Sequence, residues 1–324
     1  MDKLNAIIKP VEKEIEAFNR MFKDALHGHS RDFQTMIDFI STQNGKRIRP
    51  LLTLLSARLC GEINQKSIDF ALIIELLHTA TLIHDDVVDN TLERRSQPSV
   101  NAKYDNRVAV LLGDYILALA ITRAVMTQNL DIMAIIARVA KHLADGELTQ
   151  MILSRELIID EDRYFDVIHK KTAVLLAACG EIGAISVNAD VETCEKLRLI
   201  TENTGLCFQL RDDIFDYFEQ DEIGKPTGND IREGKITLPL LHALKTAPKD
   251  VSDKMHKLIR QKDFSRENIL QLTDFAKTYK GIEYTKARMQ KIKEETLTLL
   301  YDFPDSDAKT AMTELIDYII NRKK

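Results

Sequence analysis

The chain has 324 residues, of which 44% are hydrophobic and 29% charged, with a formal net charge of −5. That balance belongs to a globular protein, and the length suits one large domain or two ordinary ones. The negative charge, the absence of Trp and an aromatic content of 6% argue against nucleic-acid binding and base stacking.

Four cysteines (Cys60, Cys179, Cys194, Cys207) are scattered without CxxC or zinc spacing. They read as small buried hydrophobes in a reducing, cytoplasmic setting. The N-terminus lacks a secretory hydrophobic region. No uninterrupted run of 18 apolar residues exists, because Asp114, Arg123 and Glu181 break the richest stretches, so no transmembrane segment is expected.

In chain order, residues 2–27 read as an amphipathic helix with Ile8, Val11, Ile15, Phe18 and Phe22 on one face. Phe33 to Ile40 continues helical. A basic break follows at Gln43-Asn44-Gly45-Lys46-Arg47-Ile48-Arg49-Pro50; three cations beside a glycine can form an anion cradle, although taken alone the stretch reads as a solvated basic turn. Helices are expected over 51–60 and over about 67–89. The chain then breaks at Glu93-Arg94-Arg95-Ser96-Gln97-Pro98, whose adjacent arginines offer forked donors suited to phosphate. Residues 99–225 hold none of the seven prolines, and long helices are expected at about 107–127, 129–158, 162–187 and 190–219. Polar groups interrupt two of them, at Gly146-Glu147-Leu148-Thr149-Gln150 and Lys170-Lys171-Thr172.

Next comes a glycine-rich charged loop, Gly224 to Lys235, which could close over a ligand or serve as a plain connector. Shorter helices fill the rest, with turns at Pro248 and Pro304 and an amphipathic, basic end from Leu315 to Lys324. No alternating strand pattern stands out, so the fold class is all-α. No linker or composition shift appears, and a single domain over 1–324 is expected.

The chemistry concentrates in two helical stretches. The first is Leu82-Ile83-His84-Asp85-Asp86-Val87-Val88-Asp89. At about 100° per residue, Asp89 lies roughly 40° and Asp86 roughly 100° from Asp85, so three carboxylates share one face. Like charges so placed need a cation, and oxygen-only ligands suit Mg²⁺. Gln209-Leu210-Arg211-Asp212-Asp213-Ile214-Phe215-Asp216 repeats the spacing. Two such faces turned toward each other would hold divalent cations and, through them, a diphosphate. His78 precedes Asp85 by seven residues and shares its face within about 20°.

Five blocks in this order resemble the trans-prenyltransferases, the polyprenyl diphosphate synthases. Gly45 to Pro50 looks like GKRxRP and His84 to Arg95 like the first aspartate-rich motif with its trailing arginines. Tyr164 to Ala173 looks like YxxVIxxKTA, Phe208 to Asp216 like FQxxDDxxD, and Gly224 to Lys235 like GKxxGxDxxxGK. The match runs from about residue 40 to 240 and more weakly to the end. Asn44 stands where a second glycine is common and Ser96 where glycine usually follows the arginines; Ser96 tolerates positive φ less well.

The resemblance implies a helical bundle around a deep central cavity, a homodimer, and head-to-tail 1′-4 condensation of isopentenyl diphosphate with an allylic diphosphate. By that resemblance Asp85, Asp86, Asp89 and Asp212 hold the Mg²⁺ ions that bridge the allylic diphosphate, with Asp213 and Asp216 acting through metal-bound water. Arg94, Lys171 and Lys235 add positive charge to the same diphosphate, and Thr172 and Gln209 help position it. Lys46, Arg49, His78 and Arg95 form a metal-free site for isopentenyl diphosphate. The contact of Arg47 stays open.

Product length in this family is limited by side chains four and five residues before the first aspartate, here Thr81 and Ala80, both small. Thr81, Leu77 and Ile74 form one stripe beneath the carboxylates. With no aromatic floor, a long product of about C30–C50, as used in quinone side chains, is expected. The alternative places a floor elsewhere, such as the 107–127 helix, and gives a short-chain synthase. A class I terpene cyclase would not need Lys46, Arg49 and His78. A non-catalytic subunit typically loses aspartates, whereas six are present here; a catalytic subunit that needs a partner stays open. A di-iron bundle would need a second pair like Glu75-Leu76-Leu77-His78, and none is found.

Overall fold

The computed structural model describes residues 2–28, 30–42, 45–95, 97–218 and 228–321. Among these the fold is all-α, as expected. In chain order the helices are α1 (Asp2–Ile8), α2 (Glu12–Ala25), α3 (Arg31–Thr42), α4 (Ile48–Cys60), α5 (Gln65–Val88), α6 (Val100–Lys103), α7 (Asn106–Met126) and α8 (Leu130–Glu156). They continue with α9 (Glu161–Ile168), α10 (Val174–Ser186), α11 (Val191–Phe215), α12 (Asn229–Arg232) and α13 (Leu238–Thr246). The last four are α14 (Lys249–Arg260), α15 (Arg266–Thr278), α16 (Gly281–Tyr301) and α17 (Asp307–Asn321). The chain divides into two compact units. Unit 1 comprises 1–140, 175–201 and 302–315; unit 2 comprises 141–174, 202–301 and 316–324.

Three departures from the sequence expectation are present, and the first has a local cause. The first helix is split by a 3-10 turn, Lys9–Val11. Pro10 has no N–H to give and its ring crowds the preceding turn, so α1 cannot run into α2 unbroken. Pro50, by contrast, sits in the first turn of α4, where no intrahelical N–H is required, and that helix starts at Ile48. The stretch expected to be one helix over 162–187 is interrupted by a π-turn at His169–Ala173. A strand pair was not expected: β1 (Glu93–Arg94) and β2 (Gln97–Pro98) run antiparallel with Glu93 opposite Pro98 and Arg94 opposite Gln97. The turn between them is entered through Arg95 at φ 54. Ser96, Asn44 and residues 224–227 of the glycine-rich loop lie outside the described residues.

In unit 1, α5 is the central helix. Asn64 caps it by accepting from the N–H groups of Lys66 and Ser67, while the Ser67 hydroxyl accepts from the Asn64 N–H. The helix is apolar on nearly every side, and Ile73, Ile74, Leu76 and Leu77 are fully buried. Helices α4 and α7 pack against it. Unit 2 gathers α13, α15 and α16, where the bare Cα of Gly281 sits against the Pro239 carbonyl too closely for any Cβ.

Two helices are long and apolar enough by composition to cross a membrane: α5, whose apolar window is 72% buried, and α7, whose window is 33% buried. The first is a core helix. The second contains Asp114 and Arg123 yet exposes Val110, Leu111, Ile121, Val125 and Met126.

Candidate active site

The first acidic motif occupies the last turn of α5. Helix C-termini carry partial negative charge, so carboxylates there are disfavoured unless a cation attends them. Asp86 has one: it is only 2% exposed, and Arg94 grips it through Nε at 2.8 and 3.0 Å and Nη2 at 2.6 Å. Asp85 is half-buried and Asp89 exposed, and the Asp89 N–H donates to the Asp85 carbonyl at 2.8 Å. Arg94 and Asp86, expected from sequence to contact diphosphate and metal, therefore neutralise each other here.

Next to this end lies a concentrated basic cluster. His78 is buried on α5, and its pKa falls well below the ordinary value, first through burial and then through Arg49, Arg95, Arg94 and Arg47. It is a neutral imidazole at neutral pH. Burial likewise lowers the guanidinium pKa values of Arg49 and Arg95, and Glu75 opposes that shift. Arg95 lies against Gly45, where an added Cβ would come within 2.5 Å of its Nη1. Arg47, whose contact the sequence left open, is held by Glu75 at 2.6 Å and stacks 4.1 Å over the Phe22 ring. Glu75 is thus the counter-charge inside a group of arginines. Sequence reading met it only as half of a Glu-x-x-His pair. Lys46 is exposed just before α4.

The second acidic motif closes α11 in unit 2. The Tyr164 hydroxyl donates to Asp213 Oδ2 at 2.5 Å, Gln209 Nε2 donates to Asp213 Oδ1 at 2.9 Å, and the Thr172 hydroxyl donates to Gln209 Oε1 at 2.9 Å. Burial pushes the Asp213 carboxyl up to about 7, the two hydrogen bonds oppose this, and Asp212 and Asp216 add to it. Asp230 is also pushed well up, by burial and then by Asp213 and Asp216. Asp216 accepts the N–H groups of Asn229 and Asp230 at 2.9 and 3.1 Å, and its carbonyl accepts from Gly228 at 2.8 Å. Gly228 and Gly234 both have positive φ, at 77° and 76°, which lets the 228–235 segment turn twice in eight residues. Asp216, expected to meet metal through water, acts in this structure as the anchor of that segment. Asp212 is half-buried.

A cavity of about 140 Å³ in unit 2 is lined by Tyr164, Lys171, Thr172, Gln209, Asp213 and Lys235, among others. The π-turn gives consecutive lysines different neighbours. Lys170 is tied to Asp145 at 2.9 Å and Asp166 at 2.8 Å, while Lys171 pairs with Glu147 at 2.6 Å. Such turns are frequent at functional positions. Lys235 pairs with Glu233 at 2.5 Å. Sequence reading assigned no role to Glu147 or Asp230; their signal was a carboxylate beside a glycine, at Gly146 and in the 228–234 loop.

Among the described residues no three His, Cys, Asp or Glu side chains converge as a ready-made metal site. The donor chemistry nevertheless fits a hard divalent cation. It is all carboxylate oxygen at the negative ends of two helices, and hard cations such as Mg²⁺ keep most of their waters and take few protein ligands. The stripe expected to set product length is buried at Ile74, Leu77 and Ala80, while half-buried Thr81 spends its hydroxyl on the His78 carbonyl at 2.9 Å.

Residues 30–275 match the polyprenyl synthetase family. The all-trans-nonaprenyl-diphosphate synthase (geranyl-diphosphate specific) of Rhodobacter capsulatus is 32% identical over 98% of this chain and 97% of its own length. A polyprenyl synthase from Caulobacter crescentus, solved with calcium and isoprenyl diphosphate, aligns with a TM-score of 0.91 at 31% identity over 99% of this chain and 98% of that one. A geranylgeranyl pyrophosphate synthase from Bacteroides thetaiotaomicron aligns at 0.86 with 38% identity over 99% and 100%. Both acidic motifs, the basic cluster and the unit 2 cavity fall inside the matched span, and the chain belongs to the polyprenyl synthetase family and is a prenyltransferase.

Proposed function

We propose that this prenyltransferase condenses isopentenyl diphosphate head-to-tail, 1′-4 and trans, with farnesyl or geranyl diphosphate, and repeats the step to a long all-trans polyprenyl diphosphate of about C30–C50 for quinone side chains. One observation carries the reading: Arg49 and Arg95 lie about a buried, neutral His78, beside a helix end that bears Asp85, Asp86 and Asp89. A substrate with one anionic head and no metal suits the first group. A diphosphate that binds together with a divalent cation would suit the second.

Asp85, Asp86, Asp89 and Asp212 are the carboxylates that would hold Mg²⁺, with Asp213 and Asp216 acting behind them. When bound, the metal supplies charge neutralisation for the departing diphosphate. Arg94, Lys171 and Lys235 add positive charge to that leaving group, and Thr172 and Gln209 orient it. Arg49, Arg95, Lys46 and His78 hold isopentenyl diphosphate so that its double bond meets the allylic carbon in line. The surplus proton leaves with the released diphosphate, so no side-chain base is required. As the diphosphate leaves, the allylic carbon becomes cationic, and the buried apolar stripe of α5 keeps water from it.

The exposed apolar face of α7, with Leu111 68% and Met126 75% exposed, supports a homodimer. The four free cysteines support a cytoplasmic setting. A short-chain product is the second reading, favoured by the similarity to the geranylgeranyl pyrophosphate synthase.

The test uses the purified chain with Mg²⁺, labelled isopentenyl diphosphate and farnesyl diphosphate, with dephosphorylated products resolved by length. A ladder ending between C30 and C50 supports the long-chain reading. A stop at C20 moves the floor to another helix, and no product points to a partner subunit.

A further inference from the structure

We propose that Gly113 and Asp114 of α7 clamp His84 and thereby fix the last turn of α5, setting the placement of Asp85 and Asp89. The inference rests on the metal-binding reading of those aspartates. Gly113 lies in the interior of a 21-residue helix, where glycine is a poor helix former, and it is buried. Its reason is contact: a Cβ there would come within 2.4 Å of His84 Nε2 and 2.6 Å of Cδ2, so the imidazole lies against the bare Cα.

The same ring nitrogen is 3.3 Å from the Val110 carbonyl and 3.2 Å from Asp114 Oδ1. Both neighbours are acceptors, so Nε2 carries the hydrogen and shares it between them. The ring is thereby fixed in position by Gly113 and in orientation by Val110 and Asp114.

Helix α7 is in turn anchored from its next residue. The Tyr115 hydroxyl donates to the His27 carbonyl at 2.9 Å, and its ring meets Phe33 edge-on at 4.9 Å. The turn so clamped needs an anchor for two reasons. It is the C-terminal turn of α5, where intrahelical bonds run out. It also carries three carboxylates at the negative end of the helix dipole. His84 adjoins Asp85 and lies five residues before Asp89, so a shift of the ring moves both. Asp114, 60% exposed, contributes geometry more than energy.

The experiment measures Mn²⁺ binding by electron paramagnetic resonance in the presence of inorganic diphosphate, alongside circular dichroism and the KM for isopentenyl diphosphate. Gly113→Ala should weaken Mn²⁺ binding at least ~10-fold, the range in which supporting residues act on a metal site, with helix content kept. Asp114→Ala should weaken it by ~3–10-fold, and Asp114→Asn, which keeps an acceptor, should recover most of the loss. The KM for isopentenyl diphosphate should stay within about twofold, because the basic cluster around His78 is untouched. Asp114→Ala binding Mn²⁺ as tightly as the unaltered protein overturns the clamp, as does an equal loss in both readouts. If Gly113→Ala does not fold, the Asp114 pair decides. An unaltered protein that binds no Mn²⁺ with diphosphate defeats the metal reading itself, which separates that failure from a failure of the clamp.

Discussion

Replacing Glu75 by Gln tests whether a buried carboxylate holds the arginine cluster together. The Glu75 side chain is 8% exposed and its partner Arg47 20%, at 2.6 Å. Breaking a buried pair by removing one partner costs about 3–5 kcal/mol. The lower end applies here, because Arg47 keeps the Phe22 face and partial access to water. At roughly 1.5 °C per kcal/mol for a chain of this size, the melting temperature should fall by about 4–5 °C. The loss should also depend on anions. Without Glu75, the guanidinium groups of Arg47, Arg49 and Arg95 repel one another, and a bound anion takes over the carboxylate's part. Binding to the folded state stabilises by about 2.7 kcal/mol at a hundredfold excess over Kd, so inorganic diphosphate should raise the melting temperature of Glu75→Gln more than that of the unaltered protein. Differential scanning fluorimetry with and without diphosphate reads both effects. A fall below about 2 °C, or an equal diphosphate response in the two proteins, would refute the reasoning.

Other consequences are equally direct. Asp216→Ala removes two charged acceptors worth about 1.5–3 kcal/mol each, so amide hydrogen exchange at Asn229 and Asp230 should accelerate at least tenfold; unchanged protection would show that the segment is held by something else. In metal-free buffer, the Asp213 carboxyl, raised to about 7 from 3.8, keeps its proton in the folded state where the unfolded chain has lost it. Its contribution is therefore fully present below pH ~4 and lost as pH rises through ~7, at most about 4 kcal/mol. Denaturant titrations should show stability falling over that window and Asp213→Asn flattening the slope, and parallel curves would argue against it. Asp85→Ala or Asp212→Ala should cut turnover at least a hundredfold, and near-normal rates would remove either from the metal set. Ala80→Phe fills a fully buried position above Leu77 and should shorten the product by at least one isoprene unit, read on the same ladder.

Much of this molecule was legible because helical geometry is local. The 3.6-residue period fixed the long helices, and the i, i+1, i+4 spacing of Asp85, Asp86 and Asp89 placed three carboxylates on one helix end without any knowledge of the rest of the chain. The order of five motifs identified the family. Even the break at Pro10 was available from the covalent chemistry of proline, although the apolar period ran through it.

What sequence alone did not decide is how the charged residues are matched, because their partners are remote and each carboxylate has several cations in reach. Arg47 meets Glu75 across 28 positions and Tyr164 meets Asp213 across 49. Residue type and spacing allow Asp86 to serve a metal or Arg94, and Asp216 to serve a metal or the amides of Asn229 and Asp230. Only the tertiary arrangement selects, since burial makes an unpaired charge costly and each buried carboxylate takes the donor that packing brings to it. The same holds for Gly113. Its place in a helix is written in the sequence, but its reason, an imidazole lying on its Cα, exists only once α7 has packed on α5.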